Sequence, residues 1–195
     1  MALAWLVLLP AGALIARFYK VRPAPGRSHR LDDQFWWNTH RVLQTLGAAL
    51  AALAAWWAYV ARGRVMDWPV LHVQLGAAAL ALCAAQILVP LFRGTKGGPT
   101  DEFADPADPL TWRGDHYDMT LRRRLFERWH KNGGYVAMGL GVAASWTGID
   151  LVGLEEDWQW GVAVCVGVFA VLFTRLSLQR RRVDTWLAIR GPEGR

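Results

Sequence analysis

The sequence predicts an all-α membrane protein, a bundle of five transmembrane helices, and three observations carry that prediction. Five apolar runs, at 1–18, 40–61, 70–92, 130–152 and 158–178, each approach the roughly 20 residues a helix needs to cross a bilayer core. None alternates as a barrel strand would, and only helices and closed barrels satisfy their own backbone in lipid. The composition agrees: 53% hydrophobic residues, 12 Trp and a mean hydropathy of +0.14 over 195 residues are too apolar for an ordinary soluble domain.

Taken in order, the first run resembles a signal-peptide core, but it has no basic residue before it, carries Pro10 and runs directly into Arg17 and Lys20. It is read as a retained span. Pro10 and Pro90 remove backbone donors and are expected to loosen the first and third helices locally. Small-residue stretches at 47–55 and 76–81 suit close approach of neighbouring helices. Cys83 and Cys165 fall in the middle of apolar runs and read as small core residues, so no disulfide framework is implied. Residues 1–178 form the membrane domain, including a connecting loop at 93–129, and 179–195 form a basic tail.

The net charge of +6 is a topology signal here rather than a nucleic-acid signal, because the basic residues sit in short segments between apolar runs. The first connection holds Arg17, Lys20, Arg22, Arg27 and Arg30. The third holds Arg93, Lys96, Arg113, Arg122, Arg123, Arg124 and Arg128, and the tail adds Arg175, Arg180, Arg181, Arg182, Arg190 and Arg195. The second connection has only Arg62 and Arg64, and the fourth has Glu155, Glu156 and Asp157. Positive-inside logic places the N-terminus outside and the C-terminus in the cytoplasm. Trp36, Trp37, Trp68, Trp129, Trp158 and Trp160 flank span ends as interface anchors do.

The loop at 93–129 is the one long connection, and its Lys96-Gly97-Gly98-Pro99 and Arg113-Gly114-Asp115-His116-Tyr117-Asp118 segments look too specific for an idle linker. Thr120 is expected to cap a helix beginning at Leu121. A surface-bound turn and a partner-docking role are equally compatible with the loop.

Three histidines recur at the starts of apolar runs. His40 follows Trp36-Trp37-Asn38-Thr39, and His72 and His130 are each followed four residues later by glycine, Gly76 and Gly134. A histidine near lipid depth is costly without a partner, so three similar placements point to ligands. Two imidazoles from different helices fill both axial positions of a haem iron, which is an electron-transfer arrangement. His40 and His130, on the same predicted membrane face, form such a pair, with haem held between helices. His72, on the opposite face, lacks a partner. Arg41 and Lys131 stand beside the pair and read either as propionate partners or as snorkelling interface cations. Zinc fits less well, because the three histidines lie on two membrane faces without a compact cluster. His29 reads as solvated, and His116 as a loop residue.

These residues resemble the cytochrome b561 family, especially bacterial membrane proteins related to the cytochrome b561 domain that accompanies DOMON modules. The resemblance runs from Ala4-Trp5 and Leu9-Pro10-Ala11-Gly12 to Ala16-Arg17-Phe18-Tyr19-Lys20. It continues through Trp37 to His40 with Gln44, His72 with Gly76, Gln86 and Arg93, and His130 with Gly134. It implies two b-type haems, with ligands paired between helices one and three and between helices two and four. His40 and His130 are then the cytoplasmic pair and His72 an outer ligand. The family pattern has a histidine one turn before the position of Met1, in the form His-x-x-x-Met. Either the chain begins late or only the cytoplasmic haem is bound. The late start is preferred, because the first span is short, and it predicts an in-frame histidine codon upstream.

The expected function is single-electron transfer across or within the membrane by a b-type cytochrome, a transmembrane oxidoreductase in a bacterial inner membrane. One or two haems are expected, and the donor and acceptor, quinol, ascorbate or a redox protein, stay open. The lipid bilayer is the expected environment, a homodimer is compatible with the sequence, and nucleic acid is not expected. The alternative is a haem-free scaffold that docks a partner through the 93–129 loop. A transporter is poorly supported, since the spans carry no acidic residue except Asp150, near a predicted outer end.

Overall fold

The computed structural model describes residues 1–20, 34–67, 70–98, 101–108 and 110–179. His29, Trp68, Pro99, Pro109, the basic residues between 21 and 33 and the tail from 180 onward lie outside the described residues. Every regular element among the described residues is helical. They are α1 (Leu9–Phe18), α2 (Gln34–Ala61), α3 (Leu71–Leu88), the short α4 (Asp115–Asp118), α5 (Leu121–Leu151) and α6 (Glu156–Leu178).

Both prolines leave the expected mark. A π-helical stretch, Leu3–Leu8, leads into α1, and the Leu9 amide bonds five residues back to the Ala4 carbonyl. Pro10, next in sequence, has no amide to continue that ladder. A 3-10 turn, Val89–Phe92, ends α3 around Pro90. The other boundaries follow ordinary chemistry. Thr120 Oγ1 accepts from the Arg123 amide at 3.3 Å and caps α5, as expected. Glu156 and Asp157 fill the first turn of α6, where the helix dipole favours negative charge. Gly63 (φ +68) and Gly153 (φ +64) close α2 and α5 in the left-handed conformation that suits glycine.

Among the described residues, three helices are long and apolar enough to cross a membrane: Phe35–Ala61, Leu71–Phe92 and Glu156–Leu178. The first apolar helix, Leu3–Phe18, is shorter. The fourth run lies within α5, which begins nine residues before His130 with Arg122, Arg123 and Arg124 and includes several glycines and hydroxyl residues. Its helix is therefore longer and more polar than its apolar run. Large apolar side chains such as Leu53, Trp57, Ile87 and Val171 point outward from these helices. That surface, with the three spans, makes the chain an integral membrane protein.

α3 packs most extensively on α5, and α1 on α2. Trp5 and Leu9 sit at the centre with Ala4, Ala51, Ala79 and Ala137, so small side chains let the helices close around one indole. A Cβ on Gly141 would collide with the Trp5 ring, and one on Gly47 would fall 2.8 Å from Leu9 Cδ2. The stretch beginning at Gly47 thus packs closely, as its composition implied. At Gly76 no side chain approaches.

Candidate haem site

α5 carries the site's geometry along its length. Near its start, His130 meets His40 of α2, with ring centroids 6.2 Å apart and planes at 81°. Towards its end, the Ala144 carbonyl accepts from His72 Nδ1 of α3 at 2.8 Å. His40 and His130 are the one histidine pair in ring contact among the described residues, and His72 stands at the opposite end of the bundle.

His40 is held from α1, whose Gly12 carbonyl lies 3.0 Å from its Nδ1. One turn further along α2, Gln44 Nε2 donates to the Leu9 carbonyl at 2.9 Å. A helix carbonyl has a second lone pair, so α1 accepts both side chains without breaking its own ladder. Glycine at position 12 leaves room for this contact, since a Cβ there would sit 2.5 Å from Gln44 Nε2 and displace it from the Leu9 carbonyl. The same device recurs at the other end, where a Cβ on Gly148 would fall 2.8 Å from His72 Cε1.

A carbonyl can only accept, so both Nδ1 atoms carry protons, and each ring keeps an unprotonated Nε2 with its lone pair. Metal-binding histidines usually donate their remaining ring N–H to an acceptor in this way. His130 stacks on Phe126 with centroids 5.4 Å apart, and its buried Nδ1 has no hydrogen-bond partner.

These residues fit a haem. Two imidazoles that share one metal at about 2 Å each place their ring centroids about 6 Å apart, close to the 6.2 Å between His40 and His130. No three His, Cys, Asp or Glu side chains converge among the described residues. A pair of imidazoles is the axial set of an electron-transfer haem. Gly76 and Gly134, one turn beyond His72 and His130 on the same helix faces, have nothing within 4 Å of a would-be Cβ. Each leaves a flat helix flank beside its histidine.

The neighbouring cations are engaged elsewhere. Lys131 Nζ pairs with Glu127 at 2.6 Å, and Arg123 pairs with the same carboxylate at 3.2 Å. Arg41 and Arg93 lie over the Trp37 ring at 5.6 and 5.2 Å. These contacts favour the interface reading of Arg41 and Lys131.

The 93–120 segment is more tightly built than its composition announced. Asp115 accepts from the Thr95 amide at 2.8 Å, Thr95 Oγ1 at 3.1 Å and Thr120 Oγ1 at 2.6 Å. These bonds hold its carboxyl below the usual range, with the Thr120 bond the largest cause. Trp112 and Tyr117 form a small core of their own with ring centroids 5.4 Å apart. His116 packs on Tyr117 at 5.1 Å. Burial chiefly, then the charge of Arg123, with Lys96 and Arg93 adding against an opposing Glu127, brings its pKa down to about 4. Aspartates and glycines of a loop give no sign in sequence of which ones will meet.

No family model matches the chain. It is 26% identical over 170 residues to ferric-chelate reductase 1 of Homo sapiens, covering 87% of this chain and 25% of that protein. It is 30% identical over 185 residues to a cytochrome b561, DM13 and DOMON domain-containing protein of Arabidopsis thaliana, covering 93% of this chain and 18% of the relative. A cytochrome b561 and DOMON domain-containing protein of the same plant is 24% identical over 183 residues, covering 90% of this chain and 37% of the relative. The chain thus spans about a quarter of the length of the ferric-chelate reductases it matches. No solved structure matches. The names of these relatives support the cytochrome b561 resemblance. They come from animals and a plant and lend nothing to a bacterial placement.

Proposed function

We propose that the chain is a b-type haem module that carries single electrons across or within a membrane. The observation that carries this reading is the meeting of His40 and His130 across two helices at a separation suited to one shared iron. The haem, when bound, supplies a one-electron couple. The protein's part is to hold and orient: α1 fixes His40 through Gly12, α5 presents His130, and the two imidazoles together would leave a bound haem no open position for oxygen. His72, anchored on Ala144, is the ligand proposed for a second haem at the opposite end.

In this reading residues 1–178 form five spans, with α5 contributing the fourth and Leu3–Phe18 the first. The N-terminus is outside, and the 93–129 loop and the 179–195 tail are cytoplasmic. A quinol, ascorbate or a redox protein is the donor class. The names of the animal relatives make a ferric chelate one candidate acceptor. The haem-free scaffold is not favoured, because it gives no reason for two membrane-depth imidazoles to meet.

The test is a reduced-minus-oxidised spectrum of the purified protein with haem-to-protein stoichiometry. A b-type spectrum is expected, and a flat difference spectrum ends the cytochrome reading.

A further inference from the structure

Of the three histidines at the starts of apolar runs, two share one arrangement. His40 Nδ1 bonds the Gly12 carbonyl, and His72 Nδ1 bonds the Ala144 carbonyl. His130 departs from it, since its Nδ1 is buried and unpaired. Close by, Gln86 of α3 has both amide atoms, Nε2 and Oε1, buried and unpaired as well. The Gln86 amide lies against Gly133, so closely that a Cβ on that glycine would collide with it. Residues three apart on a helix are neighbours on one face, with Cβ atoms about 5–6 Å apart. His130 and Gly133 stand in that relation, so Gln86 packs on the face of α5 that also carries His130. Buried polar atoms almost always find partners, and leaving them unpaired is costly.

We propose that Gln86 is the positioning residue of His130, its Oε1 accepting the Nδ1 proton. This rests on the reading of His40 and His130 as axial ligands. Gln86 then does with a side chain what the Gly12 and Ala144 carbonyls do from the backbone, and Gly133 is the residue that admits it. The bond fixes the tautomer that leaves Nε2 as ligand and makes that nitrogen a stronger donor. A stronger donor favours oxidised iron. Gln86 is therefore a handle on the redox balance of this haem that neither His40 nor His72 has.

Redox titration of the full chain in lipid nanodiscs, followed optically and by electron paramagnetic resonance, tests the proposal. Gln86→Leu removes the acceptor and is expected to shift the haem that also depends on His40 about tenfold towards the reduced form. That is about 59 mV for one electron. Gln86→Glu supplies a stronger, charged acceptor and is expected to lower the potential below the unaltered value, while any His72-dependent haem stays put. An unmoved potential and unmoved resonance positions in Gln86→Leu overturn the proposal, as does an equal shift in both variants, the mark of a packing effect. If Gln86→Leu fails to load haem, Gln86→Glu decides alone, and an unchanged potential there overturns the proposal. Absence of haem from the unaltered protein removes the axial-ligand reading first. Haem with an unmoved potential removes only this one.

Discussion

The two ends of α5 handle a histidine in different ways. At its far end α5 supplies a backbone carbonyl, and His72 arrives from α3 to bond it. At its near end α5 supplies the histidine itself, and His130 meets a second imidazole that α1 holds in place. One end is an anchored single histidine and the other a facing pair. Two similar sequence signals, a histidine followed by glycine at the fourth position, therefore end in different arrangements, and only the partner helices make them differ.

Substitutions can break that comparison, beginning with the largest effect. His40→Ala and His130→Ala should each abolish the same haem component of the difference spectrum, while His72→Ala leaves it. Loss of different components in the first two would undo the pairing. Next in size, Gly148→Leu forces a side chain into the His72 ring and should cost about 1–3 kcal/mol by overpacking, read as a lower Tm. The His40-dependent spectrum should survive, and its disappearance would show that the two ends are not separable.

A smaller effect is expected in the loop. Asp115→Ala removes the acceptor shared by Thr95 and Thr120 and should raise the rate of proteolytic cleavage at 101–118 severalfold with the haem spectrum intact. Smallest is the effect of pH. Folded His116 resists protonation down to about 4, whereas an unfolded histidine takes a proton near 6.5. The stability it confers is thus complete above 6.5 and declines as the pH falls towards 4. Limited proteolysis across that window should show progressive loosening of the loop, and His116→Gln should flatten the profile.

Much of this was legible in the residues. Apolar run length gave helices, Pro10 and Pro90 gave their irregular turns, Thr120 gave the start of α5, and repeated histidines at run starts gave the candidate ligands. Each is a local property: hydrophobicity, a missing amide, a hydroxyl one residue ahead of a helix. The extent of α5 was less legible, because its arginine-rich first turns are helical without being apolar. The engagement of Lys131 with Glu127, the loop staples and the solitary position of Gln86 gave no signal.

The sequence by itself determined an all-helical membrane protein and three histidines at the starts of apolar runs, since period, length and hydrophobicity need no knowledge of neighbours. Only the tertiary structure decided which histidines meet and what holds each ring. The partners of His40 and His72 are main-chain carbonyls of Gly12 and Ala144, identical in kind to every other carbonyl in a helix. What singles them out is the close approach of one helix to another, which small residues permit and which exists only once the bundle has formed.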